Sequence, residues 1–142
     1  MKFHRVIARL DIKGPNLVKG VHLEGLRVLG KPEIFAESYY QDGADELFFQ
    51  DTVASLYNRN NLLEIVSRTA KKVMIPITVC GGIRNIKDIK TVLRSGADKV
   101  AINTAAIANP QIIEDSAKMF GSQCIVASIE AKRKENGKYE AW

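Results

Sequence analysis

Ile75-Pro-Ile-Thr-Val-Cys-Gly-Gly-Ile83 is a short apolar run that ends in two glycines. Its length and content read as a buried strand. Gly81 and Gly82 have no Cβ, so their backbone N–H groups can approach an anion closely. Downstream, Gly96-Ala-Asp-Lys-Val-Ala-Ile-Asn-Thr104 repeats the plan. Asn103 and Thr104 end that second strand with polar groups just ahead of a helix, whose N-terminus favours anions. About one helix of sequence separates the two strands. This is the layout of successive βα units in a (β/α)8 barrel, where the C-terminal strand ends carry the chemistry.

Strand and helix alternate in both directions from this stretch. Strands are expected at Arg5–Asp11, Glu46–Asp51, Ile75–Cys80, Lys99–Asn103 and Gln123–Glu130. Helices are expected at Pro32–Asp42, Asn60–Lys72, Ile86–Ser95 and Pro110–Phe120. Pro32 suits a first helical position and Gly43 a C-cap. Ile86, Ile89, Val92 and Leu93 fall on one face at helical spacing. Ile12–Lys31 reads as a long connection punctuated by glycines, with a small hairpin at Asn16–Leu23. Loops of that length are often functional. Lys132–Trp142 reads as a charged hairpin tail.

Polar residues inside the strands favour a barrel over an open doubly wound sheet. Alternation puts Arg5, Ile7, Arg9 and Asp11 on one face and the apolar Val6, Ala8, Leu10 and Ile12 on the other. Glu46, Phe48 and Gln50 share a face, as do Lys99, Ala101 and Asn103. One side of the sheet therefore carries Arg5 and Lys99 against Glu46 near the strand starts. A barrel interior accounts for such a lining; an open sheet covered by helices does not. A typical barrel needs about 250 residues, and this sequence has 142. Residues 1–142 are expected to form a single, partial barrel domain. It would be a fragment or would close by pairing with a second half, including self-association of half-barrels, because open edges invite aggregation.

Bulk properties exclude several classes. The net charge of +5 comes from scattered basic residues, and Lys132-Arg133-Lys134 is followed at once by Glu135. That pattern reads as a solvated face, with no nucleic-acid partner. No apolar run reaches the roughly 18 residues of a membrane span. Arg9 and Asp11 interrupt the N-terminal apolar stretch, so a signal peptide is not expected. Cys80 and Cys124 lie in separate apolar runs and read as buried thiols in a reducing, cytoplasmic setting. Neither a metal site nor a cofactor is expected.

The chain resembles the cyclase subunit of imidazole glycerol phosphate synthase, from histidine biosynthesis. The resemblance covers essentially the whole sequence as the N-terminal half of that barrel plus its fifth strand. It rests on Arg5-Val-Ile-Ala-Arg-Leu-Asp-Ile-Lys13, Val18-Lys-Gly20, Ala44-Asp-Glu46, Pro76-Ile-Thr-Val-Cys-Gly-Gly-Ile83, Gly96-Ala-Asp-Lys99, Ile102-Asn-Thr-Ala-Ala106 and Phe120-Gly-Ser-Gln123. It implies an ammonia-dependent lyase and cyclase. The substrate would be a bis-phosphorylated ribulosyl carboxamide nucleotide. The products would be imidazole glycerol phosphate and an aminoimidazole carboxamide ribotide. Ammonia would come from a glutaminase subunit docked on the strand-start face and would cross the barrel interior.

Residue by residue, the resemblance makes Asp11 the first catalytic carboxylate and Glu130 the second. Gly82, Asn103 and Thr104 match a phosphate site, which Gly81 adjoins. Lys19 matches a mobile-loop lysine. Arg5, Glu46 and Lys99 match the charged gate at the ammonia entrance, and Asp98 a contact to the glutaminase. The chain departs from the family at several of these places. Glu130 stands where Asp is usual, which moves the carboxylate by roughly 1 to 1.5 Å, and misplacement on that scale can cost about 10²-fold in rate. Arg9 replaces a small residue lining the ammonia route, where it either fills the channel or pairs with Asp11 or Glu130. Cys80 replaces a glycine, and Phe48 and Gln50 differ from the usual lining. These departures raise two alternatives. One is a diverged paralogue that works with a glutaminase-like partner in nitrogen transfer to surface sugars. The other is a non-catalytic, phosphate-binding half-barrel.

Plainer readings stand beside these. Gly81-Gly82 also suits a tight turn, and Asn103-Thr104 a helix cap. Arg5, Glu46 and Lys99 equally suit a structural ion-pair cluster. Asp51 fits either a minor active-site carboxylate or a loop cap. His4 and His22 read as surface residues, and Tyr39, Tyr40, Tyr57 and Trp142 as packing residues of helix, loop and tail.

Overall fold

The computed structural model describes residues 4–21, 25–53 and 59–141. The readings of His22, Tyr57 and Trp142 lie outside the described residues. Five strands run parallel: β1 (Ile7–Lys13), β4 (Glu46–Asp51), β5 (Ile77–Cys80), β6 (Lys99–Ile102) and β7 (Ile125–Ala127). They lie side by side in chain order. A doubly wound sheet reverses its strand order at a switch point; this one does not. Helices α1 (Pro32–Gln41), α2 (Arg59–Ala70), α3 (Ile86–Arg94), α4 (Thr104–Ala108) and α5 (Gln111–Phe120) fill the connections.

The core lies on one side of the sheet. Leu10 and Ile12, Leu47 and Phe49, Ile77 and Val79, and Val100 and Ile102 alternate inward toward Ala36, Ile65, Val66, Ile89 and Val92 of the helices. The register pairs Arg9 with Phe48, Phe48 with Thr78, and Thr78 with Lys99. The other face is thus lined by Arg9, Asp11, Glu46, Phe48, Gln50, Thr78, Cys80, Lys99 and Ala101. Helices on one face and polar residues on the other make this an arc of a (β/α)8 barrel, as the alternation predicts.

The stretch Ile12–Lys31 is not a loop. Gly14, at φ 58°, turns the chain back at once, so that Lys13 pairs with Asn16. Strands β2 (Asn16–Val21) and β3 (Gly25–Gly30) then extend the sheet antiparallel beyond β1. Leu17 joins the helix-side core, whereas Val18 is buried outside it.

Strand ends follow their partners. Arg5 and Val6 precede β1 because the Val6 N–H donates to the Asp45 carboxylate, at 2.7 Å, rather than to a strand. Ile75 and Pro76 precede β5, and the Ile77 N–H donates to Asp98 Oδ2 at 2.8 Å. Strand β7 is shorter than the expected Gln123–Glu130. A 3-10 turn takes Ser122–Cys124, and β6, its partner, ends at Ile102. The Ser128 N–H still donates to the Ile102 carbonyl at 3.1 Å, and beyond it the chain leaves the sheet. Helix α4 is too short to show a helical period; it begins where Asn103 and Thr104 read as a helix cap, ahead of the expected Pro110–Phe120 helix. The expected tail hairpin forms from β8 (Ala131–Arg133) and β9 (Tyr139–Ala141).

Candidate active site

The polar face carries an ion-pair cluster at one end and a pocket at the other. At the strand starts, Glu46 is 4% exposed. Its carboxylate accepts Lys99 Nζ at 2.7 Å, the Thr78 hydroxyl at 2.5 Å and Arg5 Nη1 at 3.5 Å. Burial pushes its pKa up, but the Lys99 and Thr78 hydrogen bonds and the charges of Lys99 and Arg5 outweigh that and hold it below the ordinary value. The sequence brings Arg5, Glu46 and Lys99 together; Thr78 completes the cluster. Its signal was a hydroxyl at a polar-face position of an otherwise apolar strand. Asp98 is exposed at the same end, and its carboxylate ties the start of β5 to the β6 turn.

At the strand ends a pocket of about 530 Å³ opens. Gly81, Gly82, Asn103, Thr104 and Glu130 all line it, with Gln50, Cys80, Arg84 and Ser128. Gly81 and Gly82 take φ of 112° and 65°, conformations that favour glycine and turn the chain from β5 toward α3. Asn103 holds the N-cap position of α4 and Thr104 opens the helix. Glu130 is exposed beyond β7. Arg84 and Ser128 were not evident in the sequence; their only signal is a position just past a strand end.

Asp11 borders this pocket rather than lining it. It sits beside Gln50 in the β1–β4 register, and Gln50 is part of the wall. Arg9 Nε donates to Asp11 Oδ1 at 2.8 Å, one of the two alternatives open for Arg9. Burial pushes the Cys80 thiol up, opposed by its hydrogen bond with Gln50 and by the Arg9 charge, while the Glu130 charge adds to the rise. Lys19 is exposed on β2, paired in register with Arg27, and is not part of the pocket wall. Asp51 is buried, and its carboxylate accepts the Val53 N–H at 3.0 Å, as a loop cap would. Among the described residues no group of three or more His, Cys, Asp or Glu could hold a metal ion.

The family model for histidine biosynthesis proteins matches residues 5–142. This chain belongs to the histidine biosynthesis protein family. It is 68% identical over 136 residues to the imidazole glycerol phosphate synthase subunit HisF of Legionella pneumophila, covering 96% of this chain and 64% of that protein. It is 50% identical over 133 residues to HisF of Myxococcus xanthus, covering 94% and 53% respectively. Against HisF of Methanocaldococcus jannaschii it is 50% identical over 129 residues, covering 91% and 47%. The chain thus spans about half to two-thirds of the length of these curated relatives. Membership of this family accords with the barrel arc. No helix among the described residues is long and apolar enough to cross a membrane.

Proposed function

We propose that the chain carries part of the active site of a cytoplasmic, ammonia-dependent lyase and cyclase of histidine biosynthesis. It would convert a bis-phosphorylated ribulosyl carboxamide nucleotide into imidazole glycerol phosphate and an aminoimidazole carboxamide ribotide. One observation carries this reading. Gly81, Gly82, Asn103, Thr104 and Glu130 share one pocket, on the same sheet face as the Glu46 cluster and at the opposite end of the strands.

Ring closure needs proton transfers on both sides of a new C–N bond, and two carboxylates can divide that work. Asp11 and Glu130 are those groups. The glycine turn and the Asn103-Thr104 corner hold one phosphate and fix the reacting atoms. Lys19 reaches the substrate from β2. Arg5, Glu46 and Lys99 form a charged closure at the entrance, where a glutaminase subunit supplies ammonia and Asp98 lies at the docking face. The second phosphate falls to strands beyond this arc, from further chain or from a second copy.

The test is turnover of the bis-phosphorylated substrate with ammonium at mildly alkaline pH, followed by loss of substrate absorbance. Turnover that Asp11→Asn abolishes supports the reading. Turnover that Asp11→Asn leaves intact overturns the role of Asp11. A second reading is favoured by the Arg9–Asp11 ion pair, which occupies a catalytic carboxylate. It is a diverged subunit that activates a glutaminase-like partner and passes nitrogen to another acceptor. Stimulated glutaminase activity without cyclase turnover would select it.

A further inference from the structure

Two charged residues line the strand-end pocket among the described residues: Arg84 on the β5 side and Glu130 on the β7 side. The wall between them is neutral, made of glycine backbone, Asn103, Thr104, Ser128 and apolar groups. Backbone and hydroxyl donors alone leave a phosphate dianion without a counter-charge. A guanidinium supplies one, with a planar fork that matches phosphate oxygens.

The root of Arg84 is fixed. Its backbone N–H donates to Asp88 Oδ2 at 2.9 Å, and the Asn85 side chain caps α3 by accepting the Asp88 N–H at 3.0 Å. Asp88 is buried, while Arg84 is exposed. The arginine therefore projects from a rigid turn two residues after Gly82. It also lines a neighbouring cavity of about 290 Å³ that opens toward α4 and α5, so it stands on the divide between the two.

We propose that Arg84 is the binding cation for a phosphate monoester seated at Gly82, Asn103 and Thr104. This rests on the phosphate reading of that corner. Glu130, which lines the same pocket, repels a dianion, so the phosphate bound here is drawn to Arg84. Arg84 acts on the position and affinity of the substrate, and no proton passes through it.

Inorganic phosphate, titrated into the isotope-labelled full chain and followed through the Gly81, Gly82 and Thr104 amides, tests this directly. Arg84→Gln should weaken the response about tenfold, and Arg84→Lys should recover part of it, because a lysine keeps the charge but not the fork. Both variants keep the backbone bond to Asp88, and an unchanged amide spectrum without phosphate checks the fold. Equal binding by wild type and Arg84→Gln overturns the assignment of Arg84 and leaves the phosphate corner standing. Absence of any response at Gly82 and Thr104 in the wild type overturns the phosphate reading and this proposal with it.

Discussion

Glu46 is the residue whose environment makes the sharpest demand. It is a buried carboxylate whose charged form Lys99, Thr78 and Arg5 favour against the cost of burial. Its pKa in the folded chain lies below the ordinary value of 4.5. A depressed carboxylate pKa gives stability that is fully present above the unfolded pKa and is lost as pH falls through the folded one. The Tm of the wild type should therefore drop on acidification below pH 4.5, and Glu46→Gln should flatten that part of the curve. At pH 7 the same change leaves Lys99 partly buried without its partner. The cost should be about 2–3 kcal/mol, read as a lower urea midpoint at unchanged m. An identical acid limb in both proteins would remove Glu46 as its source. This cluster was legible in the sequence because Arg5, Glu46 and Lys99 are charges at polar-face positions of strands. Arg84 and Ser128 were not: a residue just past a strand has no period to mark it, and only the fold brings the β5 turn across to the end of β7.

At the scale of elements, Gly43-Ala44-Asp45 and Gly96-Ala97-Asp98 are two copies of one joint. Each follows a helix and precedes a strand, β4 or β6. Each aspartate reaches back to the backbone N–H at the start of the neighbouring parallel strand, Val6 or Ile77. The carboxylates thus set where β1 and β5 begin, which is why both strands start two residues later than their apolar patterns indicate. Asp98→Ala should cost about 1–3 kcal/mol, as the loss of a charge-assisted bond, measured by chemical unfolding. The glycines differ. Both have positive φ, 90° and 112°, so alanine is strained at either. A Cβ at Gly43 meets nothing within 4 Å, whereas one at Gly96 lies 2.8 Å from Ala70 Cβ. Gly43→Ala should cost about 1–2 kcal/mol, and Gly96→Ala about 1–3 kcal/mol more. Equal losses would show that α2 yields at Ala70. Helices with a clear 3.6-residue period were legible to within a residue or two. The β2–β3 pair was read only as a small hairpin at Asn16–Leu23, whereas Asn16–Val21 is a single strand: its glycines hide the alternation, and the tight turn at Gly14 brings it back onto β1.

Over the whole arc, the charged cluster and the pocket occupy opposite ends of one face. From Arg5 to Asp11 the chain rises about 20 Å at the usual strand spacing, and Ile7 and Arg9 are the side chains that face inward on the way. The Arg9 guanidinium is held on Asp11 at 2.8 Å. If ammonia released by a glutaminase subunit crosses this face, Arg9 obstructs that supply but not ammonium arriving from solvent at the strand ends. Arg9→Ala should therefore raise glutamine-driven turnover several-fold relative to ammonium-driven turnover. If Asp11 is the catalytic carboxylate proposed above, Asp11→Asn should abolish both, because either nitrogen source then needs it. The ratio of the two rates in one preparation separates these effects and cancels differences in folded fraction. A ratio unchanged by Arg9→Ala would take Arg9 off the route. A fall in both rates together would instead make the Arg9–Asp11 pair part of the chemistry, with the guanidinium holding the carboxylate where the substrate needs it.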